Sequence, residues 1–150
     1  MPVVNVLAKV GHKDRVFEEQ AVQRTRDLFA RHFGTEYPVN VSLIRNWKIS
    51  QMLWIEGEDG ETTAATLISN NTRGDFFRVN GLAVDTHHQR KGFATAIMDH
   101  VDTITPSGAV VEVAVDLDTE STEWLISWYT RRGFKEIGVF GAETRMHKRL

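Results

Sequence analysis

Cysteine is absent from the chain, and its absence excludes three kinds of chemistry. Without thiols the protein cannot form disulfides, bind a metal through thiolates or use a cysteine nucleophile. A chain without disulfides is compatible with a reducing compartment, so we expect the protein to be cytoplasmic. The histidines are scattered without the spacing of metal ligands, and we expect no metal site.

Long apolar runs and an excess of either charge are also absent. No run approaches the roughly 20 residues that a membrane-spanning helix needs. The N-terminal stretch MPVVNVLAKVGHK lacks the basic start and the long apolar segment of a signal peptide. Because the formal net charge is only -2, we expect no nucleic-acid partner, and we expect no membrane partner either. An anionic ligand would therefore need a local binding feature.

The composition present is that of one globular domain over residues 1–150, with 41% hydrophobic and 25% charged residues. Apolar periodicity and turn residues predict the order β-α-βββ-α-β-α-ββ, with residues 35–50 unassigned. The predicted strands are Val3–Val10, Met52–Glu56, Thr63–Ser69, Phe76–Val84, Ala109–Val115, Phe134–Phe140 and Thr144–Lys148. The predicted helices are Val16–Phe33 with Asp14 as cap, Lys91–Ile104, and a third that Asp118, Thr119 or Ser121 can cap.

The apolar faces of these helices indicate which residues they bury. On the first helix the face includes Phe17, Ala21, Leu28, His32 and Phe33. On the third helix the apolar stripe is Trp124, Leu125, Trp128 and Tyr129. The fold predicted is therefore α/β (α+β in some schemes), a sheet flanked by helices.

The centre of the sheet is predicted to contain one parallel strand pair. The strand Phe76–Val84, the following helix and the strand Ala109–Val115 form a βαβ unit, whose strands are parallel. The second of these strands is apolar except for Glu112, as expected of a strand buried on both faces. Gly81 interrupts the first, and a glycine inside a strand often marks a bulge. The remaining strands are joined by short turns, so the sheet is predicted to be largely antiparallel.

The segment QRKGFA, Gln89–Ala94, lies between a predicted strand and a predicted helix. Backbone N–H groups at a helix N-terminus are free to bind an anion, and the helix dipole favours negative charge there. Gly92 lacks a Cβ, so a diphosphate can approach the main chain closely. Arg90 and Lys91 are unfavourable beside the dipole unless an anion lies between them. The segment is either a diphosphate site or a solvated basic turn.

Two segments together carry a family resemblance. QRKGFA matches the pattern Gln/Arg-x-x-Gly-x-Gly/Ala and resembles the coenzyme A pyrophosphate loop of the GNAT superfamily of N-acetyltransferases. The segment WYTRRGF, residues 128–134, is similar to the Leu-Tyr-x-x-x-Gly-Phe segment on that family's following helix. The resemblance runs from about Met52 to Phe140. It implies a single-domain GNAT-like fold and an acetyltransferase with acetyl-CoA as cosubstrate and no metal.

The resemblance also implies where the cofactor binds. The pantetheine arm would pair with the backbone of the strand Phe76–Val84, in a gap between it and Ala109–Val115, and the diphosphate would lie on backbone amides from Arg90 to Thr95. Thr122 stands where the family has an asparagine. The implied cofactor-binding residues are Leu82, Ala83, Val84, Gln89, Arg90, Lys91, Gly92, Phe93, Ala94, Thr95 and Thr122.

The resemblance implies direct attack by an amine, with Tyr129 as the acid that protonates the leaving thiolate. The alternative is a core tyrosine on an amphipathic helix. A carboxylate is expected on the third meander strand, but Phe76–Val84 contains none, and Asn80 or Arg78 stands in that region. Asp116, at the end of the buried strand, is the substitute candidate for the base; it can equally be a polar strand end or a helix cap.

The histidines before the loop and the acidic residues after the buried strand allow further alternatives. His87 and His88 can relay a proton through water or belong to a solvated turn. The run Asp116, Asp118, Glu120 and Glu123 can attract a cationic amine or serve as helix caps. The acceptor expected is a primary amine of a small molecule or protein, and a homodimer is expected by analogy. Two other hypotheses remain, a non-catalytic coenzyme A-binding module and an interaction protein.

Overall fold

The computed structural model describes residues 2–8, 15–33, 51–117 and 119–150. The strands are β1 Asn5–Ala8, β2 Gln51–Glu56, β3 Thr62–Asn70, β4 Phe76–Val84, β5 Val110–Asp116, β6 Lys135–Phe140 and β7 Glu143–Arg149. The helices are α1 Arg15–Phe33, α2 Phe93–Ile104 and α3 Thr122–Arg131, and a short 3₁₀ turn, Thr86–His88, precedes α2. The predicted order is confirmed. The expectations for Asp14, Phe17, Asp118 and residues 9–10 and 35–50 lie outside what is described.

The strands form one sheet in the order β1-β2-β3-β4-β5-β7-β6. Every neighbouring pair is antiparallel except β4 and β5, which are parallel, so the predicted mixed sheet is confirmed. The parallel pair is short, because only Phe76–Arg78 pairs with Val110–Glu112. Beyond Arg78 the described parts of β4 and β5 do not pair, and a gap opens between the two strands toward their carboxyl ends.

A bulge in β4 lies beside this gap. Thr66 of β3 pairs with Leu82 and Leu67 pairs with Asn80, so Gly81 is an extra residue in β4. Its φ of 78° is a left-handed conformation that glycine adopts without steric cost. The Thr66 hydroxyl donates a hydrogen bond to the Gly81 carbonyl. The bulge predicted from the glycine is therefore confirmed, and such a bulge bends the strand that contains it.

Helices cover both faces of the sheet. The apolar face of α1 packs on β2, β3 and β4, with Ala21, Val22, Leu28 and Phe29 against Met52, Trp54, Ala65, Leu67 and Ala83. On the other face α2 and α3 share a second core with the central strands, which includes Ile97, Met98, Val101, Val111, Val113, Val115, Tyr129 and Phe134. None of the helices in the described ranges is long and apolar enough to cross a membrane.

Three details differ from the predictions. Helix α2 begins at Phe93 and not at Lys91, because Arg90 and Gly92 have φ values of 65° and 82° that a right-handed helix cannot contain. Trp124 was expected in the apolar stripe of α3, but its side chain is 60% exposed and stacks on Trp128. His32 was placed on the apolar face of α1 and is exposed, since it lies in the last turn of that helix.

Candidate active site

The N-terminus of α2 lies directly after the end of β4 and the 3₁₀ turn. Gly92 is the N-cap residue, its carbonyl accepts from the Ala96 N–H at 2.9 Å, and no side chain caps the helix. The first N–H groups of a helix have no partner inside it, so those of the first turn remain available. A Cβ at Gly92 would meet none of the described residues within 4 Å. Open space therefore adjoins the free backbone donors.

The loop residues before the cap are exposed and partly strained. Arg90, with φ 65°, is the one non-glycine residue of the described chain with a positive φ. A bulky residue in this conformation costs about 1–3 kcal/mol, and such strain is concentrated at functional sites. The side chains of Gln89, Arg90 and Lys91 are exposed. Within the described ranges neither cation forms an ion pair, so both charges are available to a ligand at this loop.

His88 holds the turn that presents this loop. Its Nδ1 lies 3.0 Å from Asp85 Oδ2, its backbone N–H donates to the Asp85 carbonyl at 2.8 Å, and its ring lies 5.7 Å from that of Phe93. The Asp85 N–H in turn donates to the Thr63 carbonyl at 2.7 Å. These contacts favour a scaffolding role for His88, while His87 is exposed.

A cavity of about 560 Å³ lies beside this turn and opens to solvent. Its walls include backbone and side chains of the β2–β3 hairpin on one side and the α2 entry on the other. The lining residues are Glu56, Gly57, Glu58, Asp59, His88, Lys91 and Phe93. Several of these lining residues are acidic, and Lys91 is the one lysine or arginine in the lining.

Three further predicted cofactor-binding residues lie at the end of β4, beside the gap between β4 and β5. Ala83 is fully buried, and Leu82 and Val84 are half-buried and pack against the core that contains Tyr129. The structure thus brings the end of β4 and the predicted acid to the same side of the sheet. Because β5 does not pair with this part of β4, the β4 backbone offers strand-type hydrogen bonds to an extended ligand.

Tyr129 is buried in α3, with 5% of its surface exposed. Its ring meets those of Trp128 and Phe134 edge-on at 5.0 and 5.4 Å. Burial raises the pKa of Tyr129 to about 12, and the positive charge of Arg132 partly opposes this shift. The phenol is therefore protonated at neutral pH, as a general acid must be.

Asp116 and Thr122 lie at the junction of β5 and α3. The Asp116 side chain is exposed at the end of β5, opposite Glu143 of β7. The Thr122 hydroxyl lies 2.6 Å from the Asp116 carbonyl and 2.9 Å from the Thr119 carbonyl, so it closes the loop between the two elements. Ser121, one of the three predicted caps, is the N-cap residue of α3, without a side-chain cap bond.

A row of charged side chains across β4, β5 and β7 was not predicted. Glu112 is 5% exposed; its Oε2 lies 2.8 Å from His147 Nε2 and its Oε1 lies 3.4 Å from Arg78 Nη1. Arg78 Nη2 also lies 3.4 Å from Glu143 Oε1, which accepts from Arg145 Nε at 3.1 Å. In the sequence, the polar residues that alternate along β7 were the available indication of these charged contacts. Arg78 and Glu112 of this row are the last residues that pair between β4 and β5 before the gap.

His32, in the last turn of α1, lies beside the end of β4. Although part of its side chain is exposed, the partial burial of the ring lowers the pKa of His32, and a hydrogen bond with the Val84 backbone opposes this shift in part. Among the described residues no group of three or more acidic or histidine side chains is arranged to hold a metal ion.

Comparisons with known proteins agree with this geometry. A family model described as an acetyltransferase (GNAT) domain matches residues 49–136. A search of curated proteins found no match. The solved structures that resemble the chain include three acetyltransferases. The first is an IAA acetyltransferase from Bacillus cereus ATCC 14579, with 12% identity, TM-score 0.67 and 100% of both chains covered.

 The second is an aminoglycoside 6'-N-acetyltransferase complexed with coenzyme A, with 12% identity, TM-score 0.69, and 97% of this chain and 96% of that chain covered. The third is an acetyltransferase of the GNAT family from Staphylococcus aureus Mu50, with 10% identity, TM-score 0.62 and 99% of both chains covered. At such low identity these structures show a shared fold.

Proposed function

We propose, from the premise that this chain belongs to the GNAT acetyltransferase family, that it transfers the acetyl group of acetyl-CoA directly to a primary amine of a small molecule or protein. The family and the fold support acyl transfer from an acyl-CoA in general. The observation that carries the proposal for this chain is the uncapped N-terminus of α2, which opens beside the gap between β4 and β5.

The cofactor would bind along these two features. The diphosphate would accept hydrogen bonds from backbone N–H groups between Arg90 and Thr95, with Gly92 leaving room for its approach. The side chains of Arg90 and Lys91 would add positive charge at the same place. The pantetheine arm would pair with the β4 backbone at Leu82 and Val84, where β5 leaves the strand unpaired. The Thr122 hydroxyl would have to exchange its contacts with the Asp116 and Thr119 carbonyls to donate to coenzyme A.

The reaction would proceed without a covalent enzyme intermediate. The lone pair of the neutral amine forms a bond to the thioester carbon, and a backbone N–H at the Gly81 bulge stabilises the oxyanion that develops. The C–S bond then breaks, and Tyr129 gives its proton to the departing thiolate. The proton lost by the amine nitrogen passes to Asp116 or to water, and Tyr129 regains a proton from solvent, so no net proton is consumed. The products are an amide and coenzyme A.

The first test is the thermal stability of the protein with and without coenzyme A. A ligand that binds only the folded state raises the melting temperature, and we expect such a rise for the wild type. Gly92→Glu adds a side chain and a negative charge at the diphosphate position, so we expect the rise to disappear. Gly74→Glu is the matched control, because Gly74 has a similar φ of 73° and open space but lies in the β3–β4 turn. Normal binding by Gly92→Glu would show that the cofactor is misplaced.

The second test separates an enzyme from a binding module. A non-catalytic coenzyme A-binding module is the alternative, and it is favoured by the lack of a carboxylate in β4. A panel of primary amines with acetyl-CoA and detection of the released thiol distinguishes the two. Turnover supports the transferase, while a thermal shift without turnover on any amine supports the module. No thermal shift at all would contradict both and favour an interaction protein.

The cytoplasmic location and a homodimer stay predictions of this proposal. The sheet edge formed by β6 exposes Ile137 and Val139, at 48% and 64%, which is compatible with a partner on that edge.

A further inference from the structure

Asn80 lies at the point where β4 leaves β5. It follows the last paired rung by two residues and immediately precedes the Gly81 bulge. Its amide nitrogen lies 2.9 Å from Ser69 Oγ, 3.1 Å from the Arg78 carbonyl and 3.3 Å from the Leu67 carbonyl. The side chain is thus tied to β3 and to its own strand by three acceptors.

These partners fix which way the amide faces. Two of them are backbone carbonyl oxygens, which can only accept, so the atom between them must be the NH₂ group and not the oxygen. The carbonyl oxygen Oδ1 therefore points away from these acceptors. None of the described residues donates a hydrogen bond to it.

The neighbouring cation does not compete for this oxygen. Arg78 lies two residues earlier on the same face of β4, and its guanidinium is held by Glu112 and Glu143, each at 3.4 Å. A fixed acceptor, to which no described residue donates, consequently lies one residue from the bulge at which the proposed oxyanion would form.

We infer that Asn80 Oδ1 accepts a hydrogen bond from an N–H of the attacking amine and so directs the nitrogen lone pair toward the thioester carbon. This inference rests on the proposed function. An amide oxygen accepts a hydrogen bond but does not take up a proton at neutral pH, so Asn80 orients the nucleophile and does not deprotonate it. Asn80 would thereby orient the amine, which lowers the entropic part of the activation barrier.

The experiment compares two substitutions that differ in one atom group. Asn80→Ala removes the oxygen and the NH₂ group together, whereas Asn80→Asp keeps an acceptor oxygen, replaces the NH₂ donors with a second oxygen and adds a negative charge. We expect Asn80→Ala to lower kcat/KM for the amine by about tenfold, the effect of one lost hydrogen bond, with the Kd of coenzyme A unchanged. We expect Asn80→Asp to restore part of this loss. Ser69→Ala, which removes one anchor of the amide, should stay within about twofold of the wild type.

The outcomes separate this inference from the proposed function. If the wild type acetylates amines and Asn80→Ala does so with the same kcat/KM, the inference is wrong and the function stands. It is also wrong if Asn80→Asp is no better than Asn80→Ala, because the NH₂ group and its structural bonds then explain the effect. Where Asn80→Ala fails to fold, Asn80→Asp decides alone: it must keep kcat/KM within about threefold of the wild type, and a loss of about tenfold or more overturns the inference. A wild type that acetylates no amine overturns both.

Discussion

Tyr129 is a core side chain whose phenol stays protonated at neutral pH. Its ring contributes to the core between α3 and the sheet, and the same burial raises the pKa of its phenol to about 12. The two hypotheses drawn from the sequence, core residue and general acid, are therefore compatible in one position.

Replacement of this tyrosine tests its role as the acid. We expect Tyr129→Phe to lower kcat by about 100-fold or more, since it removes proton transfer to the thiolate, and to leave coenzyme A binding intact. In the wild type an acid of pKa about 12 stays protonated below that value, so its ionisation should cause no loss of kcat between neutral pH and about pH 10. Steady-state kinetics across this range provides the measurement. Unchanged turnover in Tyr129→Phe would assign the acid elsewhere.

The raised pKa also has a consequence for stability. Above about pH 10 the unfolded chain loses the tyrosine proton while the folded chain keeps it, so stability falls as pH rises toward the folded pKa of about 12. We expect the melting temperature of Tyr129→Phe to fall less than that of the wild type between about pH 10 and about pH 12. Tyr37→Phe, the substitution of the other tyrosine in the chain, is the matched comparison. Equal losses in wild type and Tyr129→Phe would mean that Tyr129 titrates normally.

At the scale of elements, the β4 bulge is held by side chains of β3. The fully buried Thr66 hydroxyl bonds the Gly81 carbonyl, which the bulge removes from the regular ladder. An unpaired buried carbonyl costs about 1–3 kcal/mol, so this hydroxyl stabilises the bend that accompanies the gap.

Thr66→Val is the substitution that tests this link between bulge and cofactor site. It keeps the shape of the side chain and removes the hydroxyl, so we expect a lower melting temperature and a higher Kd for coenzyme A. Thr105→Val is the matched control, because Thr105 is also buried and donates to the Val101 carbonyl at 2.7 Å, but at the far end of α2. It should lower the melting temperature and leave the Kd unchanged. Equal Kd values for the two variants, measured by calorimetry, would show that the bulge does not affect coenzyme A binding.

For the whole molecule, the two cores share the central strands. Strands β2, β3 and β4 contribute side chains to the core under α1 and to the core under α2 and α3. Loss of either helix layer would expose one face of the same sheet, so the two layers depend on each other.

We therefore expect the chain to unfold as one domain in a single transition. Far-ultraviolet and near-ultraviolet circular dichroism should give coincident melting curves, as for other small single domains. Coenzyme A should move the whole curve and not a part of it. Two separated transitions would contradict the prediction of one domain over residues 1–150.

The sequence by itself determined the helices and strands and indicated the main-chain part of the proposed site. Alternation, helical periodicity and glycines at turns report local conformational preferences, and these were enough to predict the order of elements along the chain, the Gly81 bulge and the loop that contains QRKGFA. Tyr129 followed from the family pattern. The start of α2 was misplaced by two residues, because left-handed φ at Arg90 could not be read from its side chain.

Only the tertiary structure decided which side chains meet. Asn80 is oriented by Ser69 and Leu67 of β3, and Glu112 forms an ion pair with Arg78 and lies within hydrogen-bond distance of His147, from strands on either side. Such partners are distant in sequence and depend on strand register, where a shift of one residue would turn each side chain to the opposite face. Trp124 was likewise misassigned, because helical spacing places it beside Trp128 but cannot tell that nothing in the described chain covers it. Local conformational preferences determine the helices and strands, whereas strand register determines which of their side chains interact.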